Sequence, residues 1–333
     1  MTTLAMYRLY IFMLLIATLA LVACGRQKTT DTAVPAGSMP PPPFETDSAM
    51  AFLKAQTDMG PRVPGSEAHM KCGDYLAGTL RRLGADTVTE HRAEVTAWNG
   101  DRLHLRNIMG RFNRQSGVRP VLLVAHWDSR PWADAEEDTE HAGKPIDGAN
   151  DGASGVAVLL EIARQASIHG TMMPLDILLV DGEDYGNSDS HDGDMSWCLG
   201  TQEWLKEESP YNNEPTPRYG ILLDMVGGRD ARFHREYFSD RYAPGIVDMV
   251  WNTAASIGLS DRFVNEPGGA VTDDHLFLNR AGIPVIDIIE NKNPATGSFN
   301  TTWHTHEDNY DNIDPTTIRD TGQVISKLTV SMQ

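Results

Sequence analysis

Cysteine is nearly absent from this chain: Cys24, Cys72 and Cys198 are the only three in 333 residues. None stands at a metal-binding spacing from another, which excludes a thiolate zinc site as well as a small disulfide-stapled scaffold. Basic residues are also scarce, with 28 Lys and Arg against 46 Asp and Glu and a formal charge of -18. Such a surface repels phosphates, which argues against nucleic acid as a partner. Internal repeats and convincing linkers are missing between residues 45 and 333, so that stretch reads as one domain. What is present is ordinary globular composition, 41% hydrophobic and 22% charged, enough for a sizeable core.

The first segment has its own logic. Arg8 precedes the apolar run Tyr10 to Ala23, whose fourteen residues are too short to span a bilayer but suit the core of a signal peptide. The run ends in Leu21-Val22-Ala23-Cys24-Gly25, which resembles the bacterial lipobox. Residues 1–23 are therefore expected to be removed, and Cys24 to be lipidated at the new N-terminus. Residues 24–44, with the run Pro40 to Pro43, read as a tether. This organisation implies a bacterial cell-envelope protein held to the membrane by its lipid, facing the periplasm or on the outer membrane. Cys72 and Cys198 then form one disulfide or remain two buried thiols.

Within residues 45–333, Asp47 to Asp58 and Glu67 to Leu83 carry apolar residues at helical spacing. Thr87 to Ala97 and Arg102 to Ile108 alternate about Asn99-Gly100, a hairpin signal. Four unbroken apolar runs follow: Val121 to Ala125, Leu175 to Val180, Ile221 to Leu223 and Pro284 to Ile289. They read as strands buried on both faces, with helices near Gly152 to Ser167, Met195 to Glu207, Ala243 to Gly258 and Pro315 to Leu328. The fold class is α/β, a mixed, mostly parallel central sheet flanked by helices.

In open α/β sheets the ligand crevice lies beyond the carboxyl ends of the strands. Three runs end there in polar residues: His126-Trp127-Asp128, Asp181-Gly182-Glu183-Asp184, and Asp224. Asp151 adds a carboxylate in the glycine-rich Gly148 to Gly155, where it also has a complete explanation as a helix N-cap. Trp303-His304-Thr305-His306 follows the last strand in a polar loop. Aspartate, glutamate and histidine without cysteine make a plausible zinc set.

The strings His126 to Asp134, Gly148 to Gly155, Asp181 to Asp184, Asp273-Asp274-His275 and Trp303-His304-Thr305 resemble the glutaminyl cyclases, particularly the bacterial ones. These belong to the zinc aminopeptidase superfamily with a three-layer phosphorylase/hydrolase-like fold, and the match runs in order through almost all of residues 45–333. The resemblance implies one zinc per chain, held by Asp151, Asp184 and His304, with Glu183 as proton carrier. It implies that Asp224 and Asp273 hold the substrate and support proton movement, and that Trp303 and Trp197 wall the pocket. His126 and Asp128 stand as second-metal or supporting residues. The implied substrates are peptides or proteins with an N-terminal glutamine, converted to pyroglutamate with release of ammonia. The alternative is a two-zinc aminopeptidase of the same superfamily, in which His126 and Asp224 take a second ion and Asp151 bridges.

Overall fold

The structure is a computed structural model, and it describes residues 43–331 apart from residues 116 and 139. The signal-peptide, lipidation and most of the tether assignments lie outside the described residues. Elements follow in the order α1 (Thr46–Thr57), α2 (Glu67–Arg82), β1 (Thr87–Thr96), β2 (Arg102–Phe112), β3 (Val121–His126), α3 (Ala153–His169) and β4 (Leu175–Val180). Then come α4 (Leu199–Glu203), β5 (Tyr219–Leu223), β6 (Phe233–Arg235), α5 (Tyr237–Tyr242), α6 (Pro244–Ser256), β7 (Phe263–Pro267), α7 (Asp274–Arg280), β8 (Val285–Ile288) and α8 (Pro315–Thr329).

Six strands form the central sheet in the order β1-β2-β4-β3-β5-β8. The hairpin β1-β2 is antiparallel and joins β4 antiparallel; β4, β3, β5 and β8 run parallel. The unbroken apolar runs are explained by burial on both faces. On β3, Leu123 and Ala125 pack with α1, α2, α3 and α8, whereas Leu122 and Val124 pack with Trp204, Tyr211 and Leu278 of α7. The mixed sheet between two helical layers is thus as the sequence pattern requires. By contrast β1 is never fully buried and alternates exposed with half-buried positions on either side of Glu90 and His91, which are both half-buried, so its sequence is mixed rather than uniformly apolar.

Two expectations need correction, and one open alternative is decided. The helix expected over Met195 to Glu207 is broken: a 3-10 turn at Gly193–Ser196 ends before Cys198, which adopts a left-handed φ of 55°, and the short α4 begins after it. Two backbone bonds explain the break, Cys198 N–H to the Glu183 carbonyl at 3.1 Å and Leu199 N–H to the Gly182 carbonyl at 2.9 Å. Asp151 is not the N-cap of α3; Gly152 stands there, with no side-chain cap bond. Cys72 and Cys198 are free, buried thiols, so the disulfide alternative is not realised.

Register delivers the chemistry to one edge. His126 at the end of β3 lies opposite Val180 at the end of β4, which puts Asp181 to Asp184 alongside Trp127 and Asp128. Close approach of α3 to the sheet depends on Gly155, where a Cβ would collide with the Leu223 carbonyl of β5.

Candidate active site

Asp151, Asp184 and His304 converge at the carboxyl edge of the sheet, each offering a buried donor atom within 4.8 Å of the others. His304 Nε2 is 3.3 Å from Asp184 Oδ1 and 3.8 Å from Asp151 Oδ2. Its other nitrogen, Nδ1, lies 2.9 Å from Asp134 Oδ1, so the proton belongs on Nδ1 and the Nε2 lone pair is free. Nitrogen and carboxylate oxygen are zinc donors, and Asp184 Oδ2 is buried with no hydrogen-bond partner among the described residues. Burial and the neighbouring Asp151 push the Asp184 carboxyl above its usual range, a crowding that a divalent cation relieves. The three residues fit a catalytic zinc.

Each donor is held from behind. Asp308 accepts from the Asn150 and Asp151 amides at 2.7 and 3.1 Å, fixing the turn that carries Asp151. Asp128 accepts from the Glu183 and Asp184 amides at 3.3 and 3.2 Å and faces His126 Nδ1 at 3.3 Å. Asp128 is therefore a support of the turn after β4 and stands in neither donor group. His126 Nε2 is 3.0 Å from Asp151 Oδ1 and 3.2 Å from Asp224 Oδ1, and these three also lie close enough to hold an ion. Burial opposes a charge on this imidazole, but the carboxylates of Asp128, Asp151 and Asp224 outweigh it and raise its pKa well above the usual value.

A cleft of about 290 Å³ opens over the donor set. Asp151, Glu183, Asp184, Asp224, Asp273 and His304 form its polar end, and Trp197, Val271, Ile289, Phe299 and Trp303 line the rest. Trp303 stacks on the His304 ring at 3.7 Å between centroids. Glu183 is 8% exposed. Burial, with Asp273, Asp184 and Asp274 nearby, holds its carboxyl well above the usual carboxylate range although His126 pulls it down. Asp273 is raised likewise by burial and by Asp224 and Asp274, and burial with Asp151 brings Asp224 to about 6.

The structure thus gathers Asp151, Glu183, Asp184, Trp197, Asp224, Asp273, Trp303 and His304 around one cleft, with His126 and Asp128 beneath. His275 and His306 stay outside the donor group, paired with Glu236 at 3.0 Å and Glu136 at 3.3 Å. The sequence patterns give no role to Asp134 and Asp308, although both lie in the stretches beside His126 and His304, and they do not mark Phe299. Asp134 follows Arg130 by four residues and reads as half of a surface ion pair. Asp308 has no periodicity to mark it, and its signal is only proximity to His304 in the chain.

A family model described as peptidase family M28 matches residues 107–329. Among solved structures, the chain resembles a Bacteroides thetaiotaomicron glutaminyl cyclase bound to N-acetylhistamine, with 43% identity and a TM-score of 0.82. That match covers 88% of this chain and 100% of the other. It also resembles a protein called a Zn-dependent exopeptidase from Parabacteroides distasonis, with 44% identity, a TM-score of 0.80, and coverage of 87% and 99%. The glutaminyl-peptide cyclotransferase of Bos taurus is 24% identical over 300 residues, 81% of this chain and 79% of the bovine protein.

Proposed function

This chain belongs to peptidase family M28, and from that premise we propose that it is a zinc-dependent glutaminyl-peptide cyclotransferase carrying one zinc per chain. The reading rests on one conjunction, a nitrogen-and-oxygen donor set and a buried carboxylic acid, Glu183, facing the same small cleft. Likeness over the full length of a bacterial glutaminyl cyclase supports it.

Asp151, Asp184 and His304 hold the zinc, which when bound supplies a Lewis acid for the glutamine γ-carboxamide carbonyl. Asp273 and Asp224 receive the peptide's α-amine, and Trp303 and Trp197 wall in the side chain. Holding both ends of one glutamine in ring geometry makes the attack intramolecular and removes most of its entropic barrier. Glu183 accepts a proton from the α-amine and donates one to the departing nitrogen. The ring C–N bond forms, the carboxamide C–N bond breaks, and ammonia leaves. A carboxyl whose pKa burial has raised suits both halves of that transfer.

His126, Asp151 and Asp224 lie close enough to hold a second ion as well, so what supports the one-zinc cyclase over the two-zinc aminopeptidase is the likeness to bacterial glutaminyl cyclases. The test is metal content per chain after dialysis, measured with ammonia release from a glutaminyl peptide. One zinc with ammonia release is expected; two tightly bound ions with aminopeptidase turnover would overturn the reading.

The proposal extends to the N-terminus. Residues 1–23 act as a lipoprotein signal peptide, Cys24 carries the lipid, and residues 24–44 tether the single catalytic domain, 45–333, to a membrane of the cell envelope.

A further inference from the structure

One buried cation lies beside the donor set without belonging to it. Arg130 is 2% exposed. Its Nε and Nη2 donate to the two oxygens of Asp134 at 2.8 and 2.5 Å. Nη1 donates to Asp184 twice, to the backbone carbonyl at 3.0 Å and to Oδ1 at 3.1 Å. Both terminal nitrogens reach the Gly186 carbonyl at 3.3 Å. The face of the guanidinium rests against Trp132 at 5.2 Å and Trp197 at 5.1 Å. Asp134 Oδ1 is the same atom that faces His304 Nδ1.

One planar group therefore touches Asp184 directly, reaches His304 through Asp134, and packs on a wall of the cleft. We propose that Arg130 is a positioning residue for the zinc site, fixing two of its three donors relative to each other and to Trp197. This deepens the function given above and rests on the assignment of Asp184 and His304 as ligands.

A positive charge near a zinc site opposes metal binding, so the effect must come from orientation. The bidentate pair with Asp134 cancels the charge locally, and what remains is a rigid fork. The fork holds the turn at Asp184 to Gly186 and keeps the His304 proton on Nδ1. A lysine supplies the charge but not the fork, because its single ammonium cannot grip Asp134 with two parallel bonds while also bonding Asp184.

The test uses the whole domain and compares the parent with Arg130→Lys, Arg130→Met and Asp134→Asn. Zinc affinity and release rate are read by competition with a chromogenic chelator, after near-ultraviolet circular dichroism has shown each protein folded. Each variant is expected to bind zinc roughly 10- to 100-fold more weakly, the scale for removing an outer partner of a metal ligand. Combining Arg130→Lys with Asp134→Asn should weaken binding little beyond the worse single change, because both act through one unit. A purely structural arginine would lower the unfolding temperature and leave the zinc affinity of the folded protein alone. Folded Arg130→Lys that releases zinc at the parental rate overturns the proposal. Should both arginine variants fail to fold, Asp134→Asn with parental zinc affinity does the same, its side chain being 45% exposed and tolerant of change. Failure of the ligand assignment is a separate result, seen as Asp184→Ala retaining zinc.

Discussion

Glu183→Gln isolates proton transfer from everything else the residue does. The side chain is 8% exposed, and its one donor among the described side chains is the Cys198 thiol, Sγ to Oε1 at 3.4 Å. Glutamine has the same shape and keeps a carbonyl oxygen to accept that bond, so packing is preserved. It also removes a carboxyl crowded by Asp273, Asp184 and Asp274, so the unfolding temperature is expected to hold or rise. Glu183 is outside the Asp151, Asp184 and His304 group, and zinc content should stay at the parental level. Only the proton path is lost, with an expected fall in turnover of roughly 100-fold or more, about 2.7 kcal/mol or more of barrier. Asp184→Ala makes the opposite pattern, with zinc and activity lost together. Initial rates of ammonia release from a glutaminyl peptide, with zinc measured on the same samples, decide the matter. A Glu183→Gln protein that loses its metal, or cyclises at the parental rate, refutes the assignment.

Stability of the metal-free protein should fall as pH rises. Burial raises Asp274 to about 7, so between its unfolded value near 4 and that pH the folded state binds more protons than the unfolded one. Asp274→Asn is therefore expected to raise the unfolding temperature most at pH 8.5 and by roughly a third as much at pH 5, only about one unit above the unfolded value; equal effects at both would refute the linkage. At the other end of the chain, Cys24→Ala should leave cyclase activity intact while abolishing acyl labelling and detergent partitioning, and labelling that persists would remove the lipid-anchor proposal.

Legibility followed the physics of each segment. The parallel strands were readable because both faces of the sheet are covered, leaving no polar position to interrupt Val121 to Ala125. Strand-end residues were readable as a set because register brings His126 level with Val180. The stretch from Tyr185 to Cys198 was not, because its path is fixed by long-range bonds to the Gly182 and Glu183 carbonyls and leaves no periodic trace. Arg130 and Asp134 lie within the stretch His126 to Asp134, yet four-residue spacing of opposite charges gives the same pattern on an exposed surface as in a buried clamp. The supporting role of Asp128 needed coordinates, since sequence cannot say which of two neighbouring polar residues turns toward backbone amides.

The two unpaired thiols give the molecule a pair of built-in clocks. Cys72 is sealed between α2 and the core, where burial pushes its pKa up to about 12; Cys198 is sealed behind Glu183, and burial raises it well above the usual thiol value. Neither reacts with an alkylating reagent while its cover is in place, so each modification event records an opening of the structure around it. Cys72 times the loosening of the helical layer. Cys198 times the release of the segment that closes the catalytic turn, and the ratio of the two rates measures whether the active site opens alone or only when the whole domain does.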